Sequence, residues 1–300
     1  MKLPRLIGDH VISRPKAQNE YRIVVLGSSE VWGYLNRPQD TMPVVLDAMQ
    51  LQTPDGRTVR SYNLAYVYPD AFKDMLILDT VLENTDRPDL IIFTANSTTF
   101  RPIDRIHWLT ENNPELALKL AQQYNLLNLP LDPVKDAINK TSWFERDNFW
   151  AQRQDVAMWL TNQMYGFTWA SSGLDYPQVR GNGRKTAFSG ELEWENMRPG
   201  VLNAIVNLAH AYNVPLLLVS VPADYSSKYD GWIQEQANQL HIPLLECSKL
   251  LPPQAFTNTL LHISADGHRQ VANNMALWLQ MWFRDPTLDG KLVKTCNPQF

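Results

Sequence analysis

Three polar residues stand where acyl-transfer chemistry would need them: Ser29, Asn96 and His262. Ser29 closes the stretch Ile23-Val24-Val25-Leu26-Gly27-Ser28-Ser29, in which apolar residues run into a glycine. That pattern predicts a buried strand turning sharply into a helix, near whose positive end a serine would lie. The ordinary job of Ser28 or Ser29 would be to cap that helix. Asn96 follows the apolar run Leu90-Ile91-Ile92-Phe93-Thr94-Ala95, where an asparagine ordinarily makes a turn. His262 lies in Leu261-His262-Ile263-Ser264-Ala265-Asp266-Gly267-His268, just ahead of a helical stretch. A hydroxyl, an amide and an imidazole on one edge would supply a nucleophile, a donor for the oxyanion and a base. Competing chemistries fit less well. His262, Asp266 and His268 lack an evident fourth ligand, so no metal or cofactor is expected. Gly27–Gly33 lacks the lysine of a phosphate-binding loop, and His268 reads as structural.

The elements that would carry these residues are legible from hydrophobic runs. Strands are predicted at about 22–27, 58–65, 90–97, 214–222 and 242–246, and helices at about 41–52, 71–84, 198–212 and 228–240. Asp79 and Glu83, four apart, would mark the wet face of the second of these helices. Continuous apolar strands alternating with helices predict an α/β fold: a three-layer α/β/α sandwich around a mostly parallel, flavodoxin-like five-stranded sheet. Ligands of such sheets bind beyond the carboxyl ends of the strands, which is where Ser29 and Asn96 would fall. Residues 1–20 read as a lead-in arm and 21–300 as the α/β domain. The interval of about 98–198 is too long for a connection and reads as an inserted helical subdomain. It has helical patterns near 114–125 and 147–165 and holds Trp143, Trp150, Trp159, Trp169 and Trp194, which suit a local core or a ligand-facing surface. Its Ser171–Gly190 part, with Arg180, Arg184 and Lys185, reads as a mobile loop whose small basic cluster is a solvated face or, less commonly, meets an anion.

Composition narrows the classes. The 300 residues are 44% hydrophobic and 19% charged, which is globular. Lys and Arg (27) are fewer than Asp and Glu (31) and dispersed, so no nucleic-acid partner is expected. No apolar run is long enough to span a membrane, and no signal-peptide pattern follows Met1. Location therefore stays open between the cytoplasm and the soluble part of a longer, envelope-anchored protein. Cys247 and Cys296 could form one bridge, but two free thiols are the expected state.

In this order on this fold, these residues resemble the SGNH (GDSL-like) hydrolase and acyltransferase superfamily. Gly27-Ser28-Ser29 is similar to its first block, whose third residue is the nucleophile; Ser28 stands for the more usual Asp. Asn63-Leu64-Ala65-Tyr66-Val67-Tyr68 resembles the second block, with Tyr68 at the place of a glycine whose N–H feeds the oxyanion hole. Thr94-Ala95-Asn96-Ser97 resembles the third block, and Leu261 to His268 the block that carries the base. The resemblance implies a Ser29 nucleophile, a His262 base and an oxyanion hole made by Ser29, Tyr68 and Asn96. It implies an esterase or O-acyltransferase acting on a small acyl ester, such as an O-acetyl group on a carbohydrate. The family's Asp, three residues before the histidine, is Thr259 here, beside Asn258. Either could orient the imidazole by hydrogen bonding, but neither supplies the negative charge that stabilises an imidazolium. The alternative is a catalytically silent module of the same fold that binds a glycan or a protein partner.

Overall fold

A computed structural model describes residues 3–33, 36–66, 69–96, 98–100, 107–139, 198–222, 227–252, 255–256, 262–285 and 293–297. Six strands, β1 (Glu20–Leu26), β2 (Thr58–Asn63), β3 (Leu90–Ala95), β4 (Leu216–Ser220), β5 (Leu244–Glu246) and β6 (Val293–Thr295), form one sheet. They lie in the order β2-β1-β3-β4-β5-β6, and every neighbouring pair is parallel. The predicted α/β class holds, with one strand more than expected. β6 has three residues at a sheet edge and no apolar run, so periodicity offers nothing to find there. It is tied to the sheet beyond its hydrogen bonds, because Cys296 is disulfide-bonded to Cys247, just past β5. The expectation of two free thiols is thereby corrected.

Alternation along the central strands divides the core into two layers. Val24, Leu26, Ile91, Phe93, Leu216 and Leu218 face one side. There they meet α1 (Leu3–Asp9), α4 (Ala71–Asn84), α8 (Pro199–Ala211) and α9 (Ser227–Gln239). Ile23, Val25, Ile92, Leu217 and Val219 face the other side. There they meet α3 (Met42–Ala48) and the C-terminal helix α10 (Ala265–Arg284). Burying each such side chain is worth about 1.5–3 kcal/mol, so strand register and helix placement are strongly specified.

Within the lead-in residues, Leu3, Ile7 and Ile12 are fully buried in the α4 layer. The i, i+4 spacing of Leu3 and Ile7 supplies one apolar face to a short helix, and Ile12 follows in a 3-10 turn. The α4 helix spans the predicted residues, but Asp79 is buried rather than wet, while Glu83 is exposed. The reason is α6 (Pro114–Gln123), at the start of the inserted interval, which packs against α4. Burial raises the Asp79 carboxyl above the usual range, and Lys119 opposes the shift. The interval also contributes α5 (Trp108–Glu111) and α7 (Asp132–Asn139). Its pattern at 147–165, its tryptophans from Trp143 onward and its basic loop lie outside the described residues. Among the described residues no helix is long and apolar enough to cross a membrane.

Candidate active site

Strand order reverses direction at β1, whose neighbours are β2 and β3. The crevice beyond the β1 and β3 carboxyl ends is thus the switch point where open α/β sheets bind ligands. Gly27 makes the exit from β1 with φ +152°, a conformation that side chains rarely adopt. The neighbouring strand also needs the glycine, since a Cβ there would lie 1.9 Å from Thr94 Oγ1. Thr94 in turn donates to the Leu26 carbonyl at 2.7 Å.

The turn then enters α2 (Ser29–Trp32), one turn long. Ser28 is its N-cap by backbone position, yet its hydroxyl makes no capping bond and donates to the Glu30 carboxylate instead. Ser29 is the first helical residue, and its Oγ lies 3.0 Å from His262 Nε2. The ordinary capping role therefore accounts for neither hydroxyl. Gly33 closes the helix at φ +89°, packed so closely on Thr41 that a Cβ would sit 2.2 Å from Thr41 Cγ2.

His262 is delivered from the other end of the chain. Ile263 bridges to Phe256, its carbonyl accepts from Asn36 Nδ2 at 2.8 Å, and Ser264 donates its N–H to the Ala255 carbonyl. Ser264 also caps α10, accepting from Gly267 N–H. Gly267 leaves room for this crossing, since a Cβ there would meet Ile263 Cγ2 at 2.4 Å. Burial lowers the His262 imidazole from its ordinary range, and the Glu30 charge pushes it back up.

Asn96 is buried at the β3 end with its amide orientation set by its neighbours. Its Oδ1 accepts from Thr98 N–H and Thr98 Oγ1 at 2.9 and 2.6 Å, a local turn as expected of asparagine. Its Nδ2 donates to Glu30 Oε1 at 2.6 Å. Asn96 thus meets the Ser29 turn through Glu30. Tyr68, Asn258 and Thr259, the remaining site residues expected from the sequence, lie outside the described residues.

Two further residues of this region were not anticipated. Glu30 is buried between Ser28 and Asn96. Lys73, on α4, is fully buried and donates to the Gly27 carbonyl (3.1 Å), the Tyr66 carbonyl (3.0 Å) and Asp74 Oδ1 (2.7 Å). One ammonium therefore clamps the turn after β1 to the segment after β2. Burial pushes the Asp74 carboxyl up to about 7, against the pull of Lys73. Asp70 caps α4 at Phe72 N–H and also accepts from His107 N–H, while burial and Lys73 hold the His107 imidazole down to about 3. A cleft bounded by Asp70, Phe72, Thr99, Phe100 and Arg198 shares no lining residue with the Ser29–His262 pair. Among the described residues no three His, Cys, Asp or Glu side chains are placed to hold a metal ion.

His268 is structural. It is fully buried on α10, and its Nδ1 accepts from Met42 N–H at 3.2 Å. Burial, then the neighbouring His262, pushes it down to about 3. The unfolded imidazole takes a proton below about 6.5, so between these values the unfolded chain binds more protons. Its contribution is complete above pH 6.5 and is lost as pH falls. A His268→Gln variant keeps an acceptor but does not titrate. Between pH 6.5 and 5 the wild type should lose about 2 kcal/mol relative to this variant in urea titrations. A pH-independent difference would refute the assignment.

No protein-family model matches the chain, and no curated protein matches it. The functional reading therefore rests on the residues themselves.

Proposed function

We propose that the chain is an ester-processing enzyme, an SGNH-type serine esterase or O-acyltransferase acting on a small acyl ester. The observation that carries this reading is the Ser29 Oγ–His262 Nε2 contact of 3.0 Å at the switch-point edge of the sheet. Such a contact is within reach for proton transfer. In this reading His262 Nε2 takes the hydroxyl proton as Ser29 Oγ bonds to the acyl carbon. The carbonyl electron pair moves to the oxygen, which N–H groups near Ser29 and the Asn96 amide would hold, with Tyr68 the third expected donor. The imidazolium then returns its proton to the departing alkoxide, leaving an acyl-Ser29. Water or a sugar hydroxyl completes the cycle by attacking that ester, with His262 again the base. No cofactor is called for. Acetyl esters, including those on carbohydrates, are the favoured substrates by family resemblance. A disulfide persists in oxidising surroundings, so the Cys247–Cys296 bridge favours the envelope side of the two open locations.

The test is covalent labelling with a fluorophosphonate probe, followed by turnover of a chromogenic acetyl ester. Wild type should be labelled once, at Ser29, and Ser29→Ala should be neither labelled nor active. An unlabelled wild type, or equal labelling of Ser29→Ala, overturns the proposal.

A second reading, a silent module that binds a glycan or protein partner, is favoured by one observation. Glu30 places a carboxylate against the amide of Asn96, where an oxyanion would be repelled. Turnover that depends on Ser29 would exclude this reading.

A further inference from the structure

Glu30 poses a physical problem. It is 4% exposed, its two oxygens accept from Ser28 Oγ and Asn96 Nδ2, and both of those donors are neutral. A buried carboxylate without a cation beside it is costly, and such groups are ordinarily paired. The Lys73 ammonium, which holds the same turn at Gly27, spends its three bonds on Asp74 and two carbonyls. Asp70 and Asp74, buried beside Lys73, are themselves raised toward the neutral form by that burial. The histidines of the neighbourhood, His107 and His268, stay neutral at ordinary pH. Among the described residues, the side-chain partners of the Glu30 carboxylate are thus neutral and no cation is bonded to it.

One cation would appear there during turnover. When Ser29 gives up its proton, His262 becomes an imidazolium one hydrogen bond away from the residue that adjoins Glu30 in the chain. We propose that Glu30 is the countercharge of that imidazolium, a positioning residue that supplies from the nucleophile's own helix turn the negative charge absent at Thr259. This rests on the ester-processing reading. It gives a role to the carboxylate that lies against Asn96. Its two hydrogen bonds fix Ser28 and the Asn96 amide, while its charge makes His262 a stronger base. The electrostatics have the required sign, since Glu30 raises the His262 imidazole against the effect of burial. The other charged and titratable groups of this region are His268 on α10, Lys73 and Asp74 on α4, Asp70 at the α4 N-cap, and His107, whose backbone N–H donates to Asp70.

Two measurements on the full chain test this, using Glu30→Gln, which keeps the shape, accepts from Asn96 and donates to a reversed Ser28 hydroxyl, and Glu30→Asp, which keeps the charge. The first is the pH dependence of fluorophosphonate labelling. In Glu30→Gln the plateau rate should fall at least tenfold, and the acid limb should move to lower pH by about one unit. Glu30→Asp should keep its acid limb near that of the wild type. The second is titration of the His262 imidazole by NMR, assigned by its loss in His262→Asn. It should fall by about one unit in Glu30→Gln whether or not the probe reacts. A Glu30→Gln protein whose His262 titrates as in wild type overturns the inference, as does a Glu30→Asp protein that shifts equally. An unlabelled wild type with the expected NMR shift overturns the ester-processing reading and the turnover role, leaving only the charge coupling.

Discussion

Lys73→Met is expected to cost about 3–5 kcal/mol of stability at pH 8 and distinctly less at pH 5.5. The side chain is fully buried, and its partner Asp74 is buried as well. Removing the ammonium at pH 8 leaves an uncompensated carboxylate in a low dielectric, the situation that makes broken buried pairs so costly. Asp74 escapes that cost by taking a proton. Burial already holds its carboxyl at about 7 with Lys73 present, and Lys73 is the cation that opposes the shift. Without Lys73 the folded-state value moves further up, while the unfolded value stays near 3.8. Between about 7 and that raised value the folded variant binds a proton that the folded wild type does not, so its deficit narrows as pH falls toward 7 and is closed in this respect below it. A remainder should persist at pH 5.5, because the Tyr66 carbonyl loses its Lys73 donor and the Gly27 carbonyl keeps only Tyr66 N–H. A second variant, Lys73→Met with Asp74→Leu, removes both charges and should recover roughly half of the loss at pH 8. Urea titrations of both variants at the two pH values decide the matter. A loss of Lys73→Met that is the same at both would show that the charge of Asp74 is not what Lys73 answers.

The same pair shows why part of this site was hidden in the sequence. Ser29 and His262 were legible because each breaks a strong local pattern: one ends a buried strand and the other precedes a helix cap. Glu30 breaks none. An acid in the first turn of a helix is ordinary, since it favours the positive helix end from the solvent side. Nothing in Gly27-Ser28-Ser29-Glu30 says that the side chain turns inward to Asn96, which is 66 residues further on. Lys73 and Asp74 did carry a signal. In Ala71–Asn84 the apolar residues Phe72, Met75, Leu76, Ile77, Leu78, Val81 and Leu82 leave hardly any wet arc. A helix that is apolar nearly all round is buried nearly all round, so charges within it must be paired internally. Reading Asp79 and Glu83 as a wet face overlooked that arc, and only Glu83 reaches solvent. The β6 edge and the Cys247–Cys296 bridge were illegible for another reason. Three residues joined to β5 by non-local pairing and a bond across 49 positions leave no periodic trace.

The largest consequence of the turn itself should appear in Gly27→Ala, which we expect to lose about 3 kcal/mol or more and most of its Ser29 labelling. Two separate costs add. A residue with a Cβ is strained at φ +152°, and the added methyl would lie 1.9 Å from Thr94 Oγ1. Neither neighbour can simply give way. Thr94 sits within β3 and its hydroxyl holds the Leu26 carbonyl, while the Gly27 carbonyl is held by Lys73 and Tyr66 N–H. The chain must therefore shift at the point that aims Ser29 at His262, and an error of about 1 Å there suffices to cost a hundredfold in reactivity. The two costs can be separated. Thr94→Ala takes away the oxygen at 1.9 Å but leaves the backbone strain and forfeits the bond to Leu26. In a double-mutant cycle the pair should couple favourably by about 1–2 kcal/mol, with the remaining deficit assigned to φ. Additive losses, or a Gly27→Ala protein that is as stable and as readily labelled as wild type, would mean that the turn is not held between Thr94 and Lys73. With the coupling present, the aim of Ser29 traces to three groups outside the dyad: a glycine without a side chain, a threonine on the next strand and a lysine beneath both.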